Sequence, residues 1–442
     1  MYPLTPLKIY ALDSVLNDPL CTVRMERILR AIGRTRDKVV RVDEANVPEV
    51  AAKIAGLWPP KKVPSGMTRS YMRPLVFTRI RVDEPLKPDI GPILKRCSPE
   101  TSEHLVRTIL GHIDASRPFH QYEDDWQKNM VCWPTLMLGT MTGCPHGCQY
   151  CGDGRSGKMI AVGLNIEETV ERLIVPIAEK NPQQRCFLLI GWGSDEITFE
   201  PEHGAFDVFT TALDRLDRYV YFHTGGDNVD WIADLKHKDR LIGVWSVTCA
   251  TAARIIEPGA GSAINRIEAA RKCREMGVPV RIKFKPIIPV RDWRREYAEI
   301  IEQTVKRAQP ESIGFCLYIW NTYKSMMNSL NPDLLDPECL DAARRAQKEI
   351  KGVTTGPFPH KVRREIYRTL IREVRKWNKD VPVYISTESR EMWDDLKDEL
   401  GQDPMAYICG CSPVAVPGRK LALSTGLSHS TYLPKELASK SE

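Results

Sequence analysis

From Leu136 onward the chain alternates short apolar runs with amphipathic stretches, and this repeat restricts it to a parallel sheet built from βα units. The strand-like runs are 136–140, 186–191, 219–223, 241–246, 280–285 and 312–318. Between them, 166–179, 205–216, 228–235, 264–276 and 295–308 place apolar residues three and four apart, the period of a helix with one buried face. Right-handed crossovers wind such units into an open barrel. The expected fold class is therefore α/β: a partial (βα)6 barrel over 131–330, an N-terminal α/β region over 1–130 and a C-terminal α+β segment over 331–442. The N-terminal region opens on a strand at 8–12 and a helix at 22–32, and 70–130 reads as a helical insertion. The C-terminal segment carries a helix at 361–379 and a strand at 381–386. Chemistry in such a barrel belongs at the C-terminal ends of its strands.

Just after the first barrel strand stands Cys144-Pro-His-Gly-Cys148-Gln-Tyr-Cys151. Three thiolates at this spacing on one loop can each bind one iron of a [4Fe–4S] cube and leave the fourth iron open. Zinc would want a fourth protein ligand, and no second CxxC is present. The spacing is too short for unstrained disulfides among all three. Thirteen cysteines and a formal charge of +6 fit a chain in a reducing compartment with a mild preference for anions. The start, Met1-Tyr2-Pro3-Leu4-Thr5-Pro6, lacks a basic segment followed by an apolar core, and no apolar run reaches membrane-spanning length. A cytoplasmic protein with no membrane partner is expected.

The cysteine loop resembles that of the radical S-adenosylmethionine (SAM) superfamily, and the rest of the barrel resembles spore photoproduct lyase and its relatives. The matching residues are 143–151, Ser194-Asp195, Asn228-Val229-Asp230, Ile256-Glu257-Pro258-Gly259, 266–272 and Pro286-Ile287, over roughly 8–324 with a fainter tail to Trp393. The resemblance implies a [4Fe–4S] cluster held by Cys144, Cys148 and Cys151, SAM as cofactor, and an external electron donor such as flavodoxin or ferredoxin. It assigns Ser194 and Asp195 to SAM's amino group and ribose, and Ser246 to the methionine part or ribose. The plain alternative for Ser194 and Asp195 is helix capping.

Departures from the family redirect the expected reaction. The lyase's hydrogen-donating cysteine, two residues before the Ser-Asp pair, is Trp192 here. The tyrosine after the third cluster cysteine is Gly152, while the one before it is kept as Tyr150. The lysine that meets SAM's carboxylate is replaced within Gly225-Gly226, which leaves Lys283 or Lys285 to take that role. The candidates for a substitute donor are Cys249 and Cys316. These changes point away from thymine-dimer repair and toward an isomerase-like reaction on a 5-substituted thymine-type base in DNA, with a free nucleoside or other small metabolite, or lyase-type repair, as the alternatives. Arg364, Arg368, Arg372 and Lys376 align as a basic stripe suited to a phosphate backbone or to a solvated helix face. Gly152–Met159 falls one residue short of a phosphate-binding loop. Cys409-Gly410-Cys411 offers too few ligands for an auxiliary cluster and reads as structural.

Overall fold

The computed structural model describes residues 1–57, 73–83, 88–113, 116–119, 129–132, 135–152, 157, 159–182, 184–191, 193–319, 321–348, 350–351, 355–402, 404, 407 and 409–418. In chain order the strands are β1 (Ile9–Leu12), β2 (Val39–Val42), β3 (Leu75–Thr78), β4 (Ser116–Phe119), β5 (Thr135–Leu138), β6 (Met141–Thr142) and β7 (Ile160–Gly163). They continue with β8 (Cys186–Leu189), β9 (Tyr219–Thr224), β10 (Leu241–Val247), β11 (Val280–Ile287), β12 (Ile313–Leu317) and β13 (Val383–Ile385). Two sheets form: β2-β1-β3-β7-β6, and the curled half-barrel β13-β12-β11-β10-β9-β8-β5-β4.

All six expected barrel strands lie in the second sheet and pair in parallel. β13 adds a seventh parallel strand and β4 an antiparallel edge. The continuous burial of these strands follows from helices packed outside and side chains filling the inside, so they read as unbroken apolar runs. The crossovers are the helix Ala205–Arg215, the helix Ala263–Glu275, and the helix Trp293–Gln303 with its continuation to Ala308. The stretch 228–235 forms only a short 3₁₀ turn, Asp230–Asp234. Residues 70–130 supply β3 and β4 besides the short helices Gly91–Leu94 and Glu103–Ile109.

The chain crosses from the barrel sheet to the N-terminal sheet at β6 and returns after β7, so the cysteine loop lies at the junction of the two. Arg24 clamps that junction: its guanidinium donates to the carbonyls of His203 and Leu164, both at 2.6 Å, and pairs with Glu167 at 2.7 Å. On the far side, Val131 bridges to Glu388 beyond β13, and Glu388 is fixed by Arg363 at 2.9 Å and Tyr367 at 3.0 Å. Residues 409–418 close the N-terminal end of the barrel, where Pro413 O accepts from the amides of Arg185 and Cys186, both at 2.9 Å. Among the described residues no helix is long and apolar enough to cross a membrane.

Candidate active site

The loop carrying Cys144, Cys148 and Cys151 is held from beneath by the segment following β10. Gln149 N donates to Ile256 O at 2.9 Å, its side-chain amide donates to Ile255 O at 2.9 Å, and Gly259 N donates to His146 O at 3.0 Å. A Cβ on Gly259 would lie 2.4 Å from His146 O, so only glycine lets the two backbones meet there. Tyr150 donates its hydroxyl to Glu257 at 2.7 Å. Glu257 in turn pairs with Arg266 at 2.5 Å, with side chains 2% and 1% exposed, and Arg266 also donates to Ser246 O at 3.0 Å. The family-like residues 256–259 and Arg266 are thus a brace that ties the cysteine loop to the end of β10.

The three thiols are half-buried and close enough that each one's charge acts on another. Burial pushes Cys144 and Cys148 well above the usual thiol range, so they ionise most readily against a metal's charge. Among the described residues no three His, Cys, Asp or Glu groups converge on one metal ion. A cube requires no such convergence, because each thiolate binds a different iron.

At the end of β8, Asp195 receives the Thr224 hydroxyl across its two oxygens at 2.9 and 2.8 Å and the Gly225 amide at 3.0 Å, with His146 Nδ1 at 3.5 Å. It stands before the short turn Glu196–Phe199, but its side chain does not cap that turn. Ser194 accepts from Gly191 N at 2.7 Å and donates to Glu196 at 3.1 Å. Sequence reasoning passed over Glu196, whose carboxylate also takes the Gly191 amide at 2.8 Å and the Thr140 hydroxyl at 2.5 Å. Its only signal was adjacency to Ser-Asp. Ser246 lies 3.0 Å from His223 Nε2, and burial together with Lys283 and Lys285 holds that imidazole far below its usual pKa, hence neutral.

Several candidates sit elsewhere than expected. Cys249 lies outside the barrel, buried against the Trp293–Gln303 helix beside Glu296 and Tyr297, and burial pushes its thiol up to about 12. Cys316 points inward, 3.3 Å from the Thr387 hydroxyl and near Lys285. Lys283 does not turn toward the strand ends but donates to Cys411 Sγ at 2.7 Å in the barrel floor. Trp192 and residues 153–156 and 158 of the glycine-rich stretch lie outside the described residues. The basic stripe belongs to the helix His360–Trp377, yet Arg364 pairs with Asp395 at 2.9 Å, Arg368 with Glu399 at 2.5 Å and Lys376 with Glu373 at 2.5 Å. Arg372 is exposed on that face with no ion pair among the described residues.

Residues 135–324 match the family model described as spore photoproduct lyase. The chain is 25% identical over 179 residues to spore photoproduct lyase of Bacillus subtilis (strain 168), covering 39% of this chain and 51% of that protein. It is 26% identical over 175 residues to the enzyme of Geobacillus sp. (strain Y412MC61), covering 38% and 50%. The chain thus spans about half the length of the relatives it matches. A solved spore photoproduct lyase complexed with dinucleoside spore photoproduct superposes with a TM-score of 0.56 at 17% identity, covering 87% of this chain and 98% of that one. A variant of the lyase with bound AdoMet and the same dinucleoside gives 0.55 at 16%, covering 88% and 100%. The cofactors of that family, a [4Fe–4S] cluster and SAM, fit the donor set here: three thiols on a braced loop beside a buried carboxylate and two strand-end hydroxyls.

Proposed function

We infer that this chain is a divergent, spore photoproduct lyase-like member of the radical SAM superfamily, from what its site keeps and what it lacks. It is a radical SAM enzyme that rearranges or modifies a 5-substituted thymine-type base in DNA and does not repair the thymine adduct. When bound, the cluster and SAM supply a 5'-deoxyadenosyl radical able to take hydrogen from an unactivated carbon. Cys144, Cys148 and Cys151 would hold three irons of the cluster. Asp195, buried and already oriented by Thr224 and Gly225, offers SAM's ammonium a fixed negative charge, while Ser194 and Ser246 offer hydroxyls to the ribose and methionine ends. An external low-potential electron carrier completes the system.

The observation that carries this reading is selective loss. The cluster loop and its brace are intact, while the lyase's thiol position is Trp192 and its tyrosine position is Gly152. Without those donors, returning the abstracted hydrogen to a rearranged product is the economical route. Anaerobic incubation of modified-base DNA with enzyme, SAM and reductant, followed by nucleoside mass spectrometry, tests it. The expected result is an isomer of unchanged mass, with deuterium from the reacting carbon passing into 5'-deoxyadenosine and back. Efficient repair of the spore-type thymine adduct would overturn it.

The ion pairs of the basic stripe favour a second reading, in which the same chemistry acts on a free nucleoside. With three of four cations neutralised within the chain, the helix offers DNA little beyond Arg372.

A further inference from the structure

The barrel floor contains a buried cluster that the site above does not use. Residues 409–411 enter the barrel between β9 and β13 and are pinned there: Arg281 donates to Gly410 O at 2.8 Å and Tyr221 to Cys411 O at 2.7 Å. Gly410 is pressed so closely that a Cβ would lie 2.7 Å from the Tyr384 hydroxyl. This geometry sets Cys409 Sγ 3.3 Å from Cys411 Sγ, and Cys411 Sγ 2.7 Å from the Lys283 ammonium.

Lys283 is 2% exposed. A buried ammonium needs a compensating anion. The groups that act on it are the thiols of Cys411, Cys409 and Cys132 and the Tyr384 phenol; Cys411 accepts its hydrogen bond, and the Tyr384 ring centroid lies 5.8 Å away. Burial opposes the charge of Lys283, yet these neighbours hold its pKa well above the usual value. Cys411 is held well below the ordinary thiol range by the hydrogen bond from Cys409 and, against burial, by Lys283. Cys409 is pushed up by burial and by its anionic neighbour, so it keeps the proton. A thiolate beside a protonated thiol is the arrangement of a nucleophile and its resolving partner.

Cys409 also borders open space. A cavity of about 460 Å³ at the closed end of the barrel is lined by Arg281, Glu311, Ser312, Asp380 and Cys409. Cys411 is not part of that lining, although it is partly accessible and packs against the inner wall formed by Leu188, Tyr221 and Val244. On the inner wall Lys283 is the direct strand partner of Ser246, a residue of the proposed SAM site.

We propose that Cys409 and Cys411 are a redox-active dithiol that exchanges with small thiols and disulfides of the glutathione class. In the oxidising direction the Cys411 thiolate attacks a small disulfide, forming one mixed S–S bond and expelling one thiolate. Cys409 gives its proton to that departing thiolate, attacks Cys411 Sγ and expels the second small thiolate, leaving a Cys409–Cys411 disulfide. Closing the bond brings the sulfurs from 3.3 Å to about 2.05 Å, a small movement on a glycine-centred loop. Reduction by two small thiols runs the same steps backward. The exchange does not depend on the proposed radical reaction, which it would serve as a source of hydrogen renewable from outside.

The test uses the full chain without added cofactors, equilibrated in glutathione buffers of graded ratio, acid-quenched, alkylated and digested with trypsin. One tryptic peptide, 398–419, holds both sulfurs and no other cysteine. The expected result is a reversible transition between dithiol and intramolecular disulfide in that peptide. Lys283→Met should slow alkylation of Cys411 at neutral pH at least tenfold, with Lys283→Arg restoring most of the rate and melting temperature reporting the fold of each. A peptide that stays a dithiol in the folded chain while oxidising in the denatured one overturns the proposal, as does equal Cys411 reactivity in a folded Lys283→Met chain. Loss of SAM chemistry with the exchange intact would sink only the function proposed above.

Discussion

Glu196 carries a carboxylate into a ring of donors from Thr140, Gly191 and Ser194, yet burial outweighs them and pushes its pKa up to about 7. Glu200, accepting from the Gly204 and Ala205 amides, is raised to about 7 by burial as well. A carboxyl raised in the folded state is easiest to keep while protonated. Its contribution is therefore full below the unfolded value of 4.5 and is lost as pH rises through about 7. For Glu196 the change amounts to about 3 kcal/mol across that window. Glu196→Gln cannot ionise, so its melting temperature relative to the natural chain should climb between pH 5 and 8, whatever the offset at pH 5. A constant difference across the window would show that the carboxylate is charged throughout. The sequence displayed Ser194 and Asp195 because a family resemblance named them, whereas Glu196 and His223 act through burial, which depends on strands far away along the chain.

Between the residue and the whole, two elements behave differently from their patterns. The segment 251–261 looks in sequence like a connection, but it forms the underside of the cysteine loop, with Gly259 against His146. Gly259→Ala should force those backbones apart and lower iron retention several-fold after anaerobic reconstitution, although no thiol is touched. Iron and sulfide assays on a folded variant check it, and full cluster occupancy would mean the loop holds itself. The helix His360–Trp377 is the reverse case. Its basic spacing was legible, but the carboxylates of Asp395 and Glu399 that meet it lie some thirty residues on and could not be paired with it from the chain alone. Exposed pairs of this kind contribute about 0 to 1 kcal/mol each. Replacing Arg364 and Arg368 by Gln should leave the salt dependence of DNA binding nearly unchanged, while Arg372→Gln should reduce the slope by about one phosphate contact. Anisotropy titrations over a salt series decide it, and a large drop in slope for the first pair would return the stripe to a substrate track.

At the scale of the molecule, the half-barrel was readable because each of its strands is a buried apolar run followed by a helix, a local signal repeated in order. The N-terminal sheet was not, since β3 and β7 are brief and pair across more than eighty residues of chain. The barrel floor was equally hidden, for Cys409-Gly410-Cys411 has no meaning until Arg281, Lys283 and Tyr221 surround it. That floor carries the last expectation. Arg281 is 2% exposed, pairs with Glu311 at 3.2 Å and donates to the carbonyls of Gly410 and Ala415, while Lys283 donates to Cys411 with the Tyr384 ring centroid 5.8 Å away. A chain ending at residue 404 would take two carbonyl acceptors from Arg281 and the Cys411 sulfur from Lys283, and each lost partner of a buried polar group costs about 1 to 3 kcal/mol, more for charged groups. Against a net stability of about 5 to 15 kcal/mol the sum is large. A chain ending at Gly418 keeps these contacts, including the Gly418 amide on Glu311 at 3.0 Å. Urea unfolding should therefore place the midpoint of the 404 chain far below that of the 418 chain, or find the shorter chain unfolded. Equal midpoints for the two truncations would show that water, and not the C-terminal segment, satisfies the cations inside the barrel.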